Sequence, residues 1–125
     1  MGEPTSCCRS DGAYCDRCDL LIGLEGLRVV AVDRDDRDAL TVTVESAPAL
    51  MGCQSCGVVA CSHGRLEVCL IDAPAMGRAV RNRWRKRRWI CREPTCPVTT
   101  FVEPDDRVAA PRAKLTARAC RWAIE

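Results

Sequence analysis

The sequence predicts a small, β-rich α+β fold. Three observations lead there. Residues 39–46 alternate apolar and polar side chains with period two. Two cysteine pairs, Cys53 with Cys56 and Cys91 with Cys96, bracket a stretch that reads as two further strands. The clearest helical composition lies at the end, over residues 116–125. Strands bury one face through that alternation, whereas a helix repeats near 3.6 residues.

In chain order, residues 1–18 carry no periodicity and read as an irregular leader, followed by an apolar lead-in at residues 20–22 with Gly23 and Gly26 after it. Residues 27–33 are rich in Val and read as a strand, and residues 34–38 as a charged turn. Leu40, Val42 and Val44 then share one face, with Thr41, Thr43 and Glu45 on the other. This predicts a β-hairpin over residues 19–47. Residues 48–52 connect it to a second unit, 48–103. There, residues 53–57 and 62–64 read as turns, 65–71 as a strand, and Pro74 with Gly77 as a loop. Residues 78–90 follow as a longer strand, 91–97 as a second tight turn, and Phe101 and Val102 resume an apolar run. Pro104 and Pro111 bracket a loop, and Thr116 is placed to cap the final helix.

At 125 residues, with one Phe, one Tyr and three Trp, the chain has room for one domain or two very small ones. A core of this size gains much from an added staple. No run of about 18 apolar residues is present, so no membrane partner is expected. The first residues lack the basic-then-apolar order of an export signal. Eleven cysteines is an odd count. Together these point to free or metal-bound thiols in a reducing, cytoplasmic setting rather than to a disulfide framework.

Two residues between Cys53 and Cys56 let both sulfurs face one ion, and Gly57 permits the close turn that follows. Cys91 and Cys96 supply a second pair ahead of Pro97. Four thiolates suit tetrahedral zinc, and the order knuckle, hairpin, knuckle is that of a zinc-ribbon-like module holding one structural ion. Cys61 and His63 compete as ligands by proximity. Cys69 and Cys120 read as packing residues, and Cys7, Cys8, Cys15 and Cys18 as a leader without metal.

Charge is segregated. Residues 1–50 hold five Arg against ten acids, whereas residues 51–102 hold nine Lys and Arg against three. Arg78, Arg81, Arg83, Arg85, Lys86, Arg87 and Arg88 fall within eleven residues. On a strand Arg81, Arg83, Arg85 and Arg87 share one face, where only water or phosphates relieve their repulsion. Trp84 lies on the opposite face with Val80 and Ile90 and reads as core. Double-stranded DNA is the expected partner of these seven cations, with structured RNA the alternative. Asp33, Asp35, Asp36 and Asp38 read as a solvated turn rather than a catalytic set.

Several stretches together resemble one family. They are residues 20–30, Cys53-x-x-Cys56-Gly57, Ser62-His63-Gly64-Arg65, Asp72-Ala73-Pro74, Trp84 through Trp89, and Cys91-x4-Cys96-Pro97 with Phe101. Ala110-Pro111-Arg112, Thr116-x-Arg118 and Trp122-Ala123 complete the set. The chain is similar, from about residue 18 onward, to the N-terminal region of transposases of the ISL-three insertion-sequence family, actinobacterial type. The resemblance implies a zinc finger, then a helix-turn-helix beginning within residues 104–125, both holding transposon ends in a bacterial nucleoid. Family members continue into a nuclease domain with three metal-binding acids, and no such residues can be assigned in this sequence. The expected object is therefore a truncated transposase that binds DNA without catalysis, with itself or an intact transposase as a further partner; besides RNA binding, the alternative is a protein-interaction module that pairs with intact transposase.

Overall fold

The computed structural model describes residues 14–47, 49–103, 107–110 and 112–124. Cys7, Cys8, Pro48, Pro104 and Pro111 lie outside the described residues. Among the described residues the first element is a helix that periodicity did not announce, α1 (Asp16–Ile22). Asp16 and Asp19 sit in its first turn, where carboxylates favour the positive end of the helix dipole. Gly23 ends it in the left-handed region, its amide donating to the Asp19 carbonyl at 2.9 Å. Leu20 and Leu21 stay exposed, while Cys18 and Ile22, one turn apart, pack against the core. It is held from the side: Asp19 accepts from the Val29 amide at 2.6 Å and from Arg28 Nε at 2.5 Å.

The expected hairpin forms. Strands β1 (Leu27–Arg34) and β2 (Leu40–Ser46) pair antiparallel from Leu27 opposite Ser46 to Arg34 opposite Leu40, with a bulge between Val29 and Ala31. Asp35 Oδ1 accepts from the Arg37 and Ala39 amides, which makes the charged turn. Beyond it come β3 (Cys61–Ala75), β4 (Arg78–Ile90) and the short β5 (Thr100–Val102). Only Met76 and Gly77 join β3 to β4, both at positive φ (53° and 73°), as a two-residue hairpin turn matched to strand twist requires. The expected turn at residues 62–64 is instead a bulge inside β3, between Ser62 and Arg65, where Gly64 takes φ 81°. Pro74, expected in a loop, falls within β3.

One mixed sheet results, in the order β1-β2-β4-β3, with β5 pairing to β4. The hairpin joins the rest through parallel pairing of β2 with β4, from Leu40 beside Val80 to Val44 beside Trp84. Leu24, Leu27, Val29, Val42, Val44, Leu70, Val80, Trp84, Val108 and Ala109 form the core on one face. Burying each such aliphatic side chain contributes about 1.5–3 kcal/mol. Helix α2 (Ala117–Ile124) closes the fold, with Thr116 capping it as expected: its Oγ1 accepts from the Ala119 amide at 3.1 Å.

A buried carboxylate ties these pieces together. The Asp72 side chain is fully enclosed and accepts from Asn82 Nδ2 (2.7 Å), Thr116 Oγ1 (2.8 Å), the Ala73 amide (2.8 Å), and both Arg118 Nε and Nη2. Arg118 also donates to the Ile22 carbonyl at the end of α1. Burial works against the charge on Asp72, but these donors outweigh it and hold its carboxyl below the usual carboxylate range.

Candidate metal centre and basic face

The β3–β4 hairpin carries the two cysteine pairs to one place. Its far end is the Met76–Gly77 turn, and at its open end Cys61 pairs with Ile90. The first pair precedes β3 in a loop closed by a bridge between Gly52 and Val59. Within it the Cys53 amide donates to the Val58 carbonyl and the Gly57 amide to the Cys53 carbonyl, both at 2.8 Å. The second pair occupies the loop from β4 to β5. There the Cys91 amide donates to the Thr99 carbonyl and the Cys96 amide to the Glu93 carbonyl, a turn that absorbs the wider four-residue spacing.

The Sγ atoms of Cys53, Cys56, Cys91 and Cys96 lie within 4.8 Å of one another. Cys53 and Cys96 are 3.7 Å apart, and Cys56 and Cys91 3.6 Å. A tetrahedron with Zn–S bonds of about 2.3 Å has edges of about 3.8 Å, so the cage fits such an ion. The Cys56 and Ser55 amides hold the Cys53 thiol down at about 7. At Cys91 the Glu93 amide acts in the same sense, but burial and the adjacent thiols push it up to about 12. A divalent cation relieves that crowding by taking the place of protons.

Cys61 and His63 are exposed on β3 and stand outside this cluster, as do Cys69 and Cys120. Cys69 is exposed rather than packed in the core, because it pairs with Arg83 on the face turned away from it. Cys15, expected within the irregular leader, is buried at the start of α1.

Opposite the core, β4 presents Arg81, Arg83, Arg85 and Arg87 in a row, beside Ile71, Cys69, Glu67 and Arg65 of β3. Trp84 is buried on the core side, with Lys86 Nζ 4.3 Å from its ring centre. The arginines divide by engagement. Arg85 Nη1 lies 3.3 Å from Glu45, which also meets Arg65 at 3.5 Å and Tyr14 Oη at 2.7 Å. Arg87 Nη2 donates to the Ser46 carbonyl at 3.2 Å, and Arg78 pairs with Asp38 at 3.1 Å. The side chains of Arg81, Arg83 and Arg88 have no hydrogen bond or ion pair among the described residues, and Arg81 is exposed.

The chain matches no family model, no curated protein and no solved structure. Among the described residues no helix is long and apolar enough to cross a membrane.

Proposed function

We propose that this chain is a zinc-stapled module that binds double-stranded DNA through the arginine-bearing face of its sheet, without chemistry of its own. Arg81 and Arg83 carry the reading: they sit two residues apart on one face of a central strand, uncommitted to other side chains. Arg85 and Arg87 flank them and are oriented by Glu45 and Ser46. Guanidinium groups held in line on a rigid sheet make a template for successive phosphates. Zinc is the ion we assign to the four-cysteine cage, on the softness and tetrahedral fit of the donors. Its role is to clamp the open end of the β3–β4 hairpin and so keep the arginine row in place.

Transposon ends as the DNA partner, and α2 as the first helix of a helix-turn-helix, belong to this proposal through the resemblance described above. A salt titration of binding to one duplex, with wild type and the Arg81→Ala, Arg83→Ala double variant, tests it. Binding that is weak and insensitive to salt, or unchanged in the variant, removes the DNA reading.

A further inference from the structure

Where the end of α1 meets α2, on the core side of the sheet and away from the arginine row, Arg107, Arg118 and Arg121 line a small pocket. Its volume is about 180 Å³, and Glu25 is the one acid among the described residues that line it. The three arginines are held differently. Arg118 is fixed: Nε and Nη2 donate to Asp72, and Nη1 to the Ile22 carbonyl. A guanidinium has five N–H donors, so one on each Nη remains available. Gly23, which ends α1 at φ 66°, leaves Nη1 uncovered on its side, since a Cβ there would lie 3.7 Å from that nitrogen. Arg107 pairs with Glu25 at 3.2 Å, but the two side chains are 59 % and 79 % exposed, and so wet an ion pair contributes little. The Arg121 side chain is exposed and has no hydrogen bond or ion pair among the described residues.

Charge decides what such a pocket takes. Asp72 balances Arg118 and Glu25 balances Arg107, which leaves Arg121 in surplus. Once Glu25 turns out into the water that already surrounds it, the cations of Arg107 and Arg121 face the pocket without a counter-charge of their own. A phosphate monoester carries a charge of about −1.5 to −2 at pH 7 and offers three strong acceptor oxygens, and inorganic phosphate is similar. Guanidinium groups meet such oxygens in a bidentate fork. We propose that this pocket binds a phosphate group as its dianion. Arg107 and Arg121 are its adaptable ligands, Arg118 is a preset donor, and Glu25 is the resident carboxylate that the phosphate displaces. An internal phosphodiester carries a single charge and matches the two cations less well. The site therefore takes a terminal phosphate or the free ion, and it does not depend on what the arginine row binds.

Calorimetric titration of inorganic phosphate into the zinc-loaded full chain, at constant ionic strength and about pH 8 where the dianion prevails, tests this. We expect saturable binding of one phosphate per chain. Arg121→Ala should weaken it about tenfold or more, with thermal stability unchanged because that side chain holds nothing else in place. Glu25→Gln removes the competing acid and should tighten binding about threefold. The Arg81→Ala, Arg83→Ala variant should bind phosphate as wild type does, which separates this pocket from the arginine row. A second arm compares inorganic phosphate with a dinucleotide bearing a 5′-phosphate. Equal or tighter binding of the dinucleotide, lost when its 5′-phosphate is removed, assigns the pocket to nucleic-acid ends, and weaker binding assigns it to the free ion; both support a phosphate site. Failure to saturate at millimolar phosphate, affinity indifferent to Arg121→Ala, weaker binding in Glu25→Gln, or binding that disappears with Arg81 and Arg83 would each overturn the proposal.

Discussion

The Arg87 amide donates to Glu103 Oε1 at 3.0 Å, and the Glu103 amide donates back to the Arg87 carbonyl at 3.0 Å. Glu103 Oε2 meanwhile accepts from Ser46 Oγ at 2.7 Å. β4 is paired to β2 as far as Trp84 and to β5 from Arg88 onward, so this one buried carboxylate spans the gap between the two pairings. Glu103→Ala would leave the Arg87 amide without that acceptor, at a cost of about 1–3 kcal/mol. Urea denaturation should show the loss while zinc content stays unchanged. Unaltered stability would mean that water replaces the carboxylate freely.

Metal analysis should give one zinc per chain. Cys91→Ser should lose the ion and much of the folded signal, since binding energy in such sites is of the order of a small domain's whole stability. Cys61→Ser, Cys69→Ser and Cys120→Ser should each retain it. Full occupancy in Cys91→Ser, or loss in any of the other three, would reassign the ligands.

The two halves of the arginine row should separate in experiment. Replacing Arg81 and Arg83 with Ala should shallow the log–log salt slope of DNA binding by about 2, at about 0.9 per phosphate, with folding stability intact. Replacing Arg85 and Arg87 removes contacts to Glu45 and Ser46, so thermal stability should fall as well. Equal effects of both pairs on stability would contradict the division of labour.

Asp72→Asn should cost about 2–4 kcal/mol at neutral pH, because Arg118 loses its charged partner and α2 its anchor. The Asp72 carboxyl is held below its ordinary value, so its contribution is full above the unfolded value of about 3.9 and is lost as pH falls through the lower folded one. The gap between wild type and variant should therefore be flat from about pH 5 to 8 and close in stronger acid. A gap that instead closes between pH 6 and 8 would implicate another group.

Met76 holds φ 53° at a turn position where Asn is preferred, and its side chain is exposed. Met76→Asn should raise stability by about 0.5–1 kcal/mol without altering zinc content. A lower melting temperature would show that the methionine packs against something on this surface.

Much of this architecture is written locally. The alternation from Leu40 to Val44 placed β2 and its faces, the arginine spacing placed β4 from Arg78 to Ile90, and Thr116 marked the last helix. The cysteine spacing identified the four residues that the fold gathers into one cage. Other features depend on contacts distant in the chain. α1 is only seven residues long, packs through Cys18 and Ile22 alone and is tied down by Asp19 reaching Arg28 and Val29, so periodicity is nearly silent about it. Gly64 resembles a turn residue, yet β4 alongside it turns that signal into a bulge. The engagement of Arg85 and Arg87 follows from the parallel register of β2 with β4, which sets Glu45 and Ser46 beside them, and no pattern within β4 announces it.

That parallel register also orders events in time. The neighbour of Leu40 is Val80, forty residues later in the chain. During synthesis the β1–β2 hairpin emerges with one edge bare and waits for β4. The β3–β4 hairpin, joined by two residues, closes on itself far sooner than so long a loop can close. On the proposed zinc site, metal capture at its open end would then fix the strand on which β2 must dock. The availability of zinc to the nascent chain should therefore govern how long the hairpin's bare edge is exposed to aggregation.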